Sequence, residues 1–245
     1  MKRKFLLITT TIAIPLILGG FLLSLKLKNE LLITYKNNQS IFVKDRNNEN
    51  IFIKPNHLGY YASYSDEVPA EFKKLLIKKE DRYFYYHLGI NPVSSLRAFY
   101  NFSTGKENLA SSTITQQLAK ILLQNELDRN LKNKLTETIY AVSLEAHISK
   151  EEILKMYVNS IYLGNKIQGI DNASRLYFES APALLDKEQN LQLLETLSSP
   201  STHHPFSINN VMSSKLLGEK LNEDCKEIKP YTQKEVTEKK EKFNN

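Results

Sequence analysis

The sequence predicts a mainly α chain (α+β in class), with a small β element near a membrane and an N-terminal transmembrane helix. Three observations predict it. From Pro69 onward, apolar residues recur at helical spacing behind repeated capping signals. Residues 31–54 instead hold short β-branched and aromatic runs punctuated by Asn pairs. An uncharged apolar run follows a cationic N-terminus.

That run, Phe5 to Leu25, has 21 residues behind Met1-Lys2-Arg3-Lys4. At ~1.5 Å per residue it reaches roughly 30 Å, the hydrocarbon thickness of a bilayer. Membrane helices tolerate a proline such as Pro15. The cationic flank stays cytoplasmic, so the chain beyond the run is extracytoplasmic, a single pass through the cell inner membrane. A cleaved signal would have a shorter apolar stretch and a small-x-small site; Leu22-Leu23-Ser24-Leu25-Lys26 offers none. The expected division is a basic flank (1–4), an anchor (5–27), a domain (28–206) and a charged tail (207–245).

Leu32–Tyr35, Ile41–Val43 and Ile51–Ile53 read as strands. Pro69 suits a first helical position, with Phe72, Leu75 and Leu76 on one face running up to Glu80. Asn91-Pro92 opens a further helix, with Val93, Leu96 and Phe99 inward, and 102–111 form a polar loop. Thr113-x-x-Gln116, Ser149-x-x-Glu152 and Asp186-x-x-Gln189 match or approximate capping boxes. Arg129 to Lys150 reads as one long helix, apolar on two sides and so largely buried. Its first stripe is Leu131, Leu135, Ile139 and Val142. Pro200 and Pro205 end the packed region, and the tail reads as a short helix plus a frayed end.

Composition narrows the chemistry. The lone Cys225 excludes a disulfide scaffold, and the five scattered His leave only a carboxylate-rich metal site. No cofactor is required; a divalent cation could assist, though no ligand cluster demands one. The net charge of +6 favours anionic partners. Nothing resembles a nucleic-acid module, which leaves anionic lipid, a lipid diphosphate or a plain solvated surface.

Two strings carry the chemistry. Glu80-Asp81-Arg82-Tyr83-Phe84-Tyr85-Tyr86-His87-Leu88-Gly89 places a carboxylate pair at a helix end, before aromatics. Against aromatic surface a carboxylate loses hydration and becomes a better proton acceptor near neutral pH; the plain alternative is a solvated acidic pair. Ser112-Thr113-Ile114-Thr115-Gln116-Gln117-Leu118-Ala119-Lys120 starts a helix with Ile114, Leu118, Ile121 and Leu122 inward. Its hydroxyls, amides and lysine can receive phosphate or sugar hydroxyls, or can form the polar face of a capped amphipathic helix. Farther on, Lys134 and Glu137 lie three apart at a partly buried place, where a charge needs a partner.

In this order behind an anchor, the strings resemble the peptidoglycan glycosyltransferases: glycosyltransferase family 51, which includes monofunctional biosynthetic transglycosylases and the corresponding domain of class A penicillin-binding proteins. Glu80, Asp81, Phe84, His87 and Gly89 fill the five defining positions of its first motif, and Ser112–Lys120 its second. Asn133-Lys134-x-x-Glu137 aligns with a third motif, with Asn133 where the family has Arg. Lys150–Asn159 resembles the fourth, with Lys155 for the usual Glu. Residues 161–178 resemble the fifth, with Lys166 for a usual Gly.

The resemblance implies a lysozyme-like helical domain that polymerises lipid II into β-1,4 glycan strands, with inversion and release of polyprenyl diphosphate. It implies Glu80 as catalytic base and Glu137 as an accessory catalytic carboxylate. Substrate contacts are implied at Asp81, Phe84, His87, Ser112, Thr113, Gln116, Gln117, Lys120, Arg129 and Lys134. The implied partners are lipid II, the growing lipid-linked strand, the membrane and other cell-wall synthesis proteins. Ser103-x-x-Lys106 matches a penicillin-binding motif formally but lacks its companions, so the chain reads as monofunctional. The rival readings are a lysozyme-like hydrolase of finished glycan and a non-catalytic precursor-binding scaffold.

Overall fold

The computed structural model describes residues 2–47, 50–92, 112–124, 130–205 and 207–221, with the backbone alone at 2–14. Among the described residues the fold is mainly helical with two small sheets. Helix α1 runs unbroken from Lys2 to Asn37, with Pro15 inside it. The strand expected at 32–35 is therefore the last turns of a helix. Leu31 is buried, and Leu32 and Tyr35 pack on the same core. That i, i+1, i+4 face is helical, and burying it outweighs the strand preference of Ile33 and Thr34.

The second half of α1 docks on the domain. The Ser24 hydroxyl lies 2.8 Å from His147 Nε2, and the Phe21 ring meets the His147 ring edge-on at 5.4 Å. The Tyr140 hydroxyl donates to Glu30 at 2.6 Å. Leu16, Ile17, Leu18, Phe21, Leu22 and Leu23 stay more than half exposed. Among the described residues no helix is long and apolar enough to cross a membrane; the side chains of 5–14, the first part of the expected anchor, lie outside them.

The strands expected at 41–43 and 51–53 form, as β1 (Ile41–Lys44) and β2 (Asn50–Lys54), and pair antiparallel, Ile41 with Lys54 and Val43 with Phe52. A second sheet was not foreseen. β3 (Tyr61–Ala62) pairs in parallel with β4 (Ile167–Gln168). Asn56 fastens this corner by donating to the Asn38 carbonyl at 2.7 Å and to Gln168 Oε1 at 3.0 Å.

Helix α2 (Ala70–Glu80) buries Phe72, Leu75 and Leu76, with Pro69 just before its first residue. A short 3-10 turn follows at Phe84–Tyr86. The helix expected after Asn91-Pro92, the polar loop and Ser103–Lys106 fall outside the described residues. Helix α3 (Ile114–Leu123) has both halves of the Thr113–Gln116 capping box and buries Ile114, Leu118, Ala119 and Leu122. It packs between α4 (Leu131–Glu145) and α5 (Lys150–Ser160). Each buried Leu or Ile among them stabilises the fold by about 1.5–3 kcal/mol. Helix α6 (Ile170–Phe178) leads to α7 (Lys187–Ser198), whose Asp186–Gln189 capping box is complete, and α7 packs on α2 and on α8 (Ile208–Lys220).

Three further expectations are corrected. The helix expected over 129–150 is shorter, Leu131–Glu145. Asn130 caps α4 through the Asn133 N–H, α4 ends at Glu145, and the Ser149 hydroxyl starts α5 by accepting from the Glu152 N–H. Second, α4 is not buried on both sides. Leu135, Ile139 and Val142 are 58%, 55% and 40% exposed, and Glu137, Ala141 and Leu144 face inward. Third, packing does not stop at Pro205, because Leu217 and Leu221 join the core. Helix α8 is the short helix expected in the tail; the chain beyond Leu221 lies outside the described residues.

Candidate active site

Glu80 is the last residue of α2. Its Oε2 accepts from the Gln117 side-chain amide at 3.2 Å, and its Oε1 lies 3.9 Å from the Lys79 ammonium. Gln117 is held in turn, because the Tyr157 hydroxyl donates to its Oε1 at 2.6 Å. Tyr157 is fully buried. Burial first, and the Glu80 charge second, push its ionisation well above the ordinary tyrosine range. The hydroxyl therefore stays a donor across physiological pH. Of the aromatics expected to dry Glu80, Tyr83, Tyr85 and Tyr86 are exposed and Phe84 is buried; a further buried ring at this site is Tyr157, from α5.

Asp81, Phe84 and His87 support the site from inside the protein. Asp81 ends α2 and is buried. Its carboxylate accepts from His87 Nε2 at 2.9 Å and from the Ile114 N–H at 3.0 Å. A carboxylate there satisfies an orphan N–H of α3 and complements the helix dipole. The Gly89 N–H donates to His87 Nδ1 at 3.2 Å, so the ring proton sits on Nε2 and points at Asp81. Phe84 is wholly buried, under the Lys150 ammonium at 4.4 Å. Gly89 has φ +82°, and a Cβ there would stand 3.0 Å from the Ala141 backbone. Only glycine lets the turn lie this close to α4.

Thr113 and Gln116 are likewise buried and spent on internal bonds. Thr113 donates to the Gly89 carbonyl at 2.8 Å, and the Gln116 amide donates to Thr138 at 3.0 Å. The polar groups that remain join Glu80 in a chain. The Gln117 amide also reaches the Ser112 carbonyl at 3.4 Å. The Ser112 hydroxyl accepts from Lys134 at 2.7 Å, and Lys134 pairs with Glu137 at 3.1 Å. The side chains of Lys134 and Glu137 are 42% and 9% exposed. One connected set of bonds thus links the first three motif segments.

Lys120 lies on α3 three residues beyond Gln117, on the same helix face and half-buried. Arg129 lies outside the described residues. Sequence reasoning missed Tyr157 and the reach of Lys79. Lys79 is only 14% exposed, donates to the Leu194 carbonyl at 2.7 Å and to Ser198 at 2.6 Å, and pairs with Glu195 at 3.3 Å. A second missed set is Glu145, which accepts from Thr115 at 2.6 Å and from Lys150 at 2.7 Å and so ties α3, α4 and α5 beneath the Phe84 turn. Apart from Glu145 and Lys150, five residues apart, no sequence spacing marks these pairs, since their partners come from distant segments. Among the described residues no three His, Cys, Asp or Glu side chains gather as a metal centre requires. Chemically, the arrangement offers a carboxylate oriented by a fixed amide and, across Ser112, a solvent-reaching ammonium paired with a buried carboxylate.

A family model described as Transglycosylase matches residues 54–219. Penicillin-binding protein 1A of Escherichia coli is 34% identical over 162 residues, 63% of this chain and 19% of that protein. Its namesake from Aquifex aeolicus is 34% identical over 148 residues, 60% of this chain and 20% of that protein. The biosynthetic peptidoglycan transglycosylase of Shewanella denitrificans is 36% identical over 143 residues, 58% of this chain and 62% of that protein. The chain thus spans about a fifth of the length of the penicillin-binding proteins that it matches.

Proposed function

Because the chain belongs to the transglycosylase family, we propose that it polymerises lipid II, a lipid-linked disaccharide, into β-1,4 glycan. Glu80 takes the proton from the 4-hydroxyl of the acceptor sugar. The acceptor oxygen attacks the donor's anomeric carbon as the bond to the diphosphate breaks. The configuration inverts, and polyprenyl diphosphate leaves with the bonding electrons. Charge then develops on the diphosphate, where a preplaced cation is most effective. Lys134 is that cation, with Lys120 on the neighbouring helix face and Arg129 as further candidates, and Glu137 holds Lys134 in place.

The observation that carries this reading is the bonded chain Tyr157–Gln117–Glu80, continued through Ser112 to Lys134 and Glu137. A carboxylate and an ammonium joined in this way support the reading, because a displacement with an anionic leaving group needs a base and a cation held together. Membrane placement belongs to the same proposal. The first part of α1 is the anchor, the cationic N-terminus is cytoplasmic and the domain extracytoplasmic. The exposed apolar faces of α1 (Leu16–Leu23) and α4 (Leu135, Ile139, Val142) suit a bilayer surface and a polyprenyl tail.

The test is polymerisation of labelled lipid II by wild type and Glu80→Gln. Polymer from wild type and none from the variant is the expected result. Equal polymer from both would remove Glu80 as base. Cleavage of finished glycan by a wild type that makes no polymer would establish the hydrolase instead.

A further inference from the structure

An open groove of about 540 Å³ lies between the end of α2 and helices α7 and α8. Its polar lining is Lys78, Lys79, Arg82, Lys220, Ser198, Ser213 and Glu195, and Leu216, Leu217 and Leu221 form an apolar wall. Four cations therefore face one carboxylate. Lys78 donates to the Leu221 carbonyl, which fixes the end of α8 against α2. Lys79 is held nearly buried by Leu194, Glu195 and Ser198. Arg82 and Lys220 are exposed at the groove.

We propose that this groove is a second anion site, distinct from the Ser112–Lys134 cradle, which takes a phosphate or diphosphate group. Three features argue for it. The cations converge from two helices and the turn after α2, so a ligand there is surrounded rather than merely near a charged face. A guanidinium and two hydroxyls supply directional donors suited to phosphate oxygens. Leucines beside them would receive the apolar part of a phosphate-bearing lipid. The groove also reaches the active site through one residue, because Lys79 lines it and stands 3.9 Å from Glu80. An anion in the groove competes with Glu80 for that ammonium.

The test is calorimetric titration of the full-length protein in detergent with inorganic pyrophosphate, and separately with dihexanoyl phosphatidylglycerol. The variants are Arg82→Gln/Lys220→Gln, which removes the two exposed groove cations, and Lys134→Met, which removes the cradle cation. The groove site should bind in wild type and in Lys134→Met. In Arg82→Gln/Lys220→Gln it should weaken about tenfold or more, as expected on losing charge-assisted bonds. Tighter binding of the lipid would assign the site to a headgroup, and tighter binding of pyrophosphate to a soluble diphosphate. Binding unchanged by Arg82→Gln/Lys220→Gln, or lost only in Lys134→Met, would overturn the proposal. The role of Lys134 as the diphosphate cation is read separately, from lipid II polymerisation by Lys134→Met, and an intact groove site in that variant leaves it untouched. The two readings therefore fail separately.

Discussion

Tyr157→Phe isolates the orientation of the proposed base. The ring is fully buried, and the change removes only the hydroxyl that donates to Gln117 at 2.6 Å. Gln117 Oε1 then lacks that donor, a loss of at most about 1–3 kcal/mol, because the Gln117 side chain is half-buried. The freed amide no longer holds its NH₂ on Glu80 Oε2, because nothing else described fixes its oxygen end. If the loss falls on the transition state, at about 1.4 kcal/mol per factor of ten, kcat should drop by about 5- to 150-fold. KM should change little, since the hydroxyl faces the interior. Initial rates of lipid II polymerisation, with thermal melting alongside, give both quantities. A kcat within about twofold of wild type in a folded variant would refute the orienting role. A rate loss matched by an equal loss of folded protein would refute it too.

Lys134→Met should lower kcat by about 100-fold or more if its ammonium meets the leaving charge. It also strands the buried Glu137 carboxylate, so Lys134→Met/Glu137→Gln should recover stability in urea without recovering polymerisation. Gly89→Ala should destabilise by about 1–3 kcal/mol, because φ +82° and the Ala141 backbone 3.0 Å away both reject a Cβ; urea unfolding measures it. Burial raises the Tyr35 ionisation to about 12. The neutral form is thus favoured in the fold, and its share of stability is complete below pH 10 and lost as pH rises towards 12. Unfolding midpoints across that window should fall by the equivalent of about 2 kcal/mol, and Tyr35→Phe, which cannot ionise, should abolish this pH-dependent fall.

What the sequence made legible was local. The Thr113–Gln116 and Asp186–Gln189 capping boxes and the Ser149 cap each name a helix start within four residues, and all three form. The inward faces of α2 and α3 followed from periodicity. The same periodicity misplaced α4, since an apolar stripe reads alike whether it faces a core or a membrane-like surface, and Leu135, Ile139 and Val142 face outward. The last turns of α1 were misread because β-branched residues carry weight in a short window, whereas the burial of Leu31 is a tertiary fact. At the site, Glu80 and Lys134 were legible as a matched string and a charged pair. Tyr157 was not: it sits in a segment that reads as packing, and its partner is 40 residues away in the chain.

The site's charges are arranged so that each group stays available. Gln117, a neutral amide, is the direct partner that orients Glu80; the nearest cation, Lys79, stands at 3.9 Å and is committed to Leu194, Glu195 and Ser198. A lysine in place of Gln117 would hold Glu80 as an ion pair and compete with an incoming hydroxyl. On the other side, an ammonium has three donors. Lys134 directs one to Ser112 and one to Glu137, while 42% of its side chain stays in solvent. The third donor can meet a leaving oxygen without breaking either bond, so the cation need not be released before it acts. Asn133 follows from the same logic. Its backbone N–H is bonded to the Asn130 cap, so the position serves the start of α4 whatever its side chain carries, and Lys134 is the described cation that Ser112 and Glu137 hold.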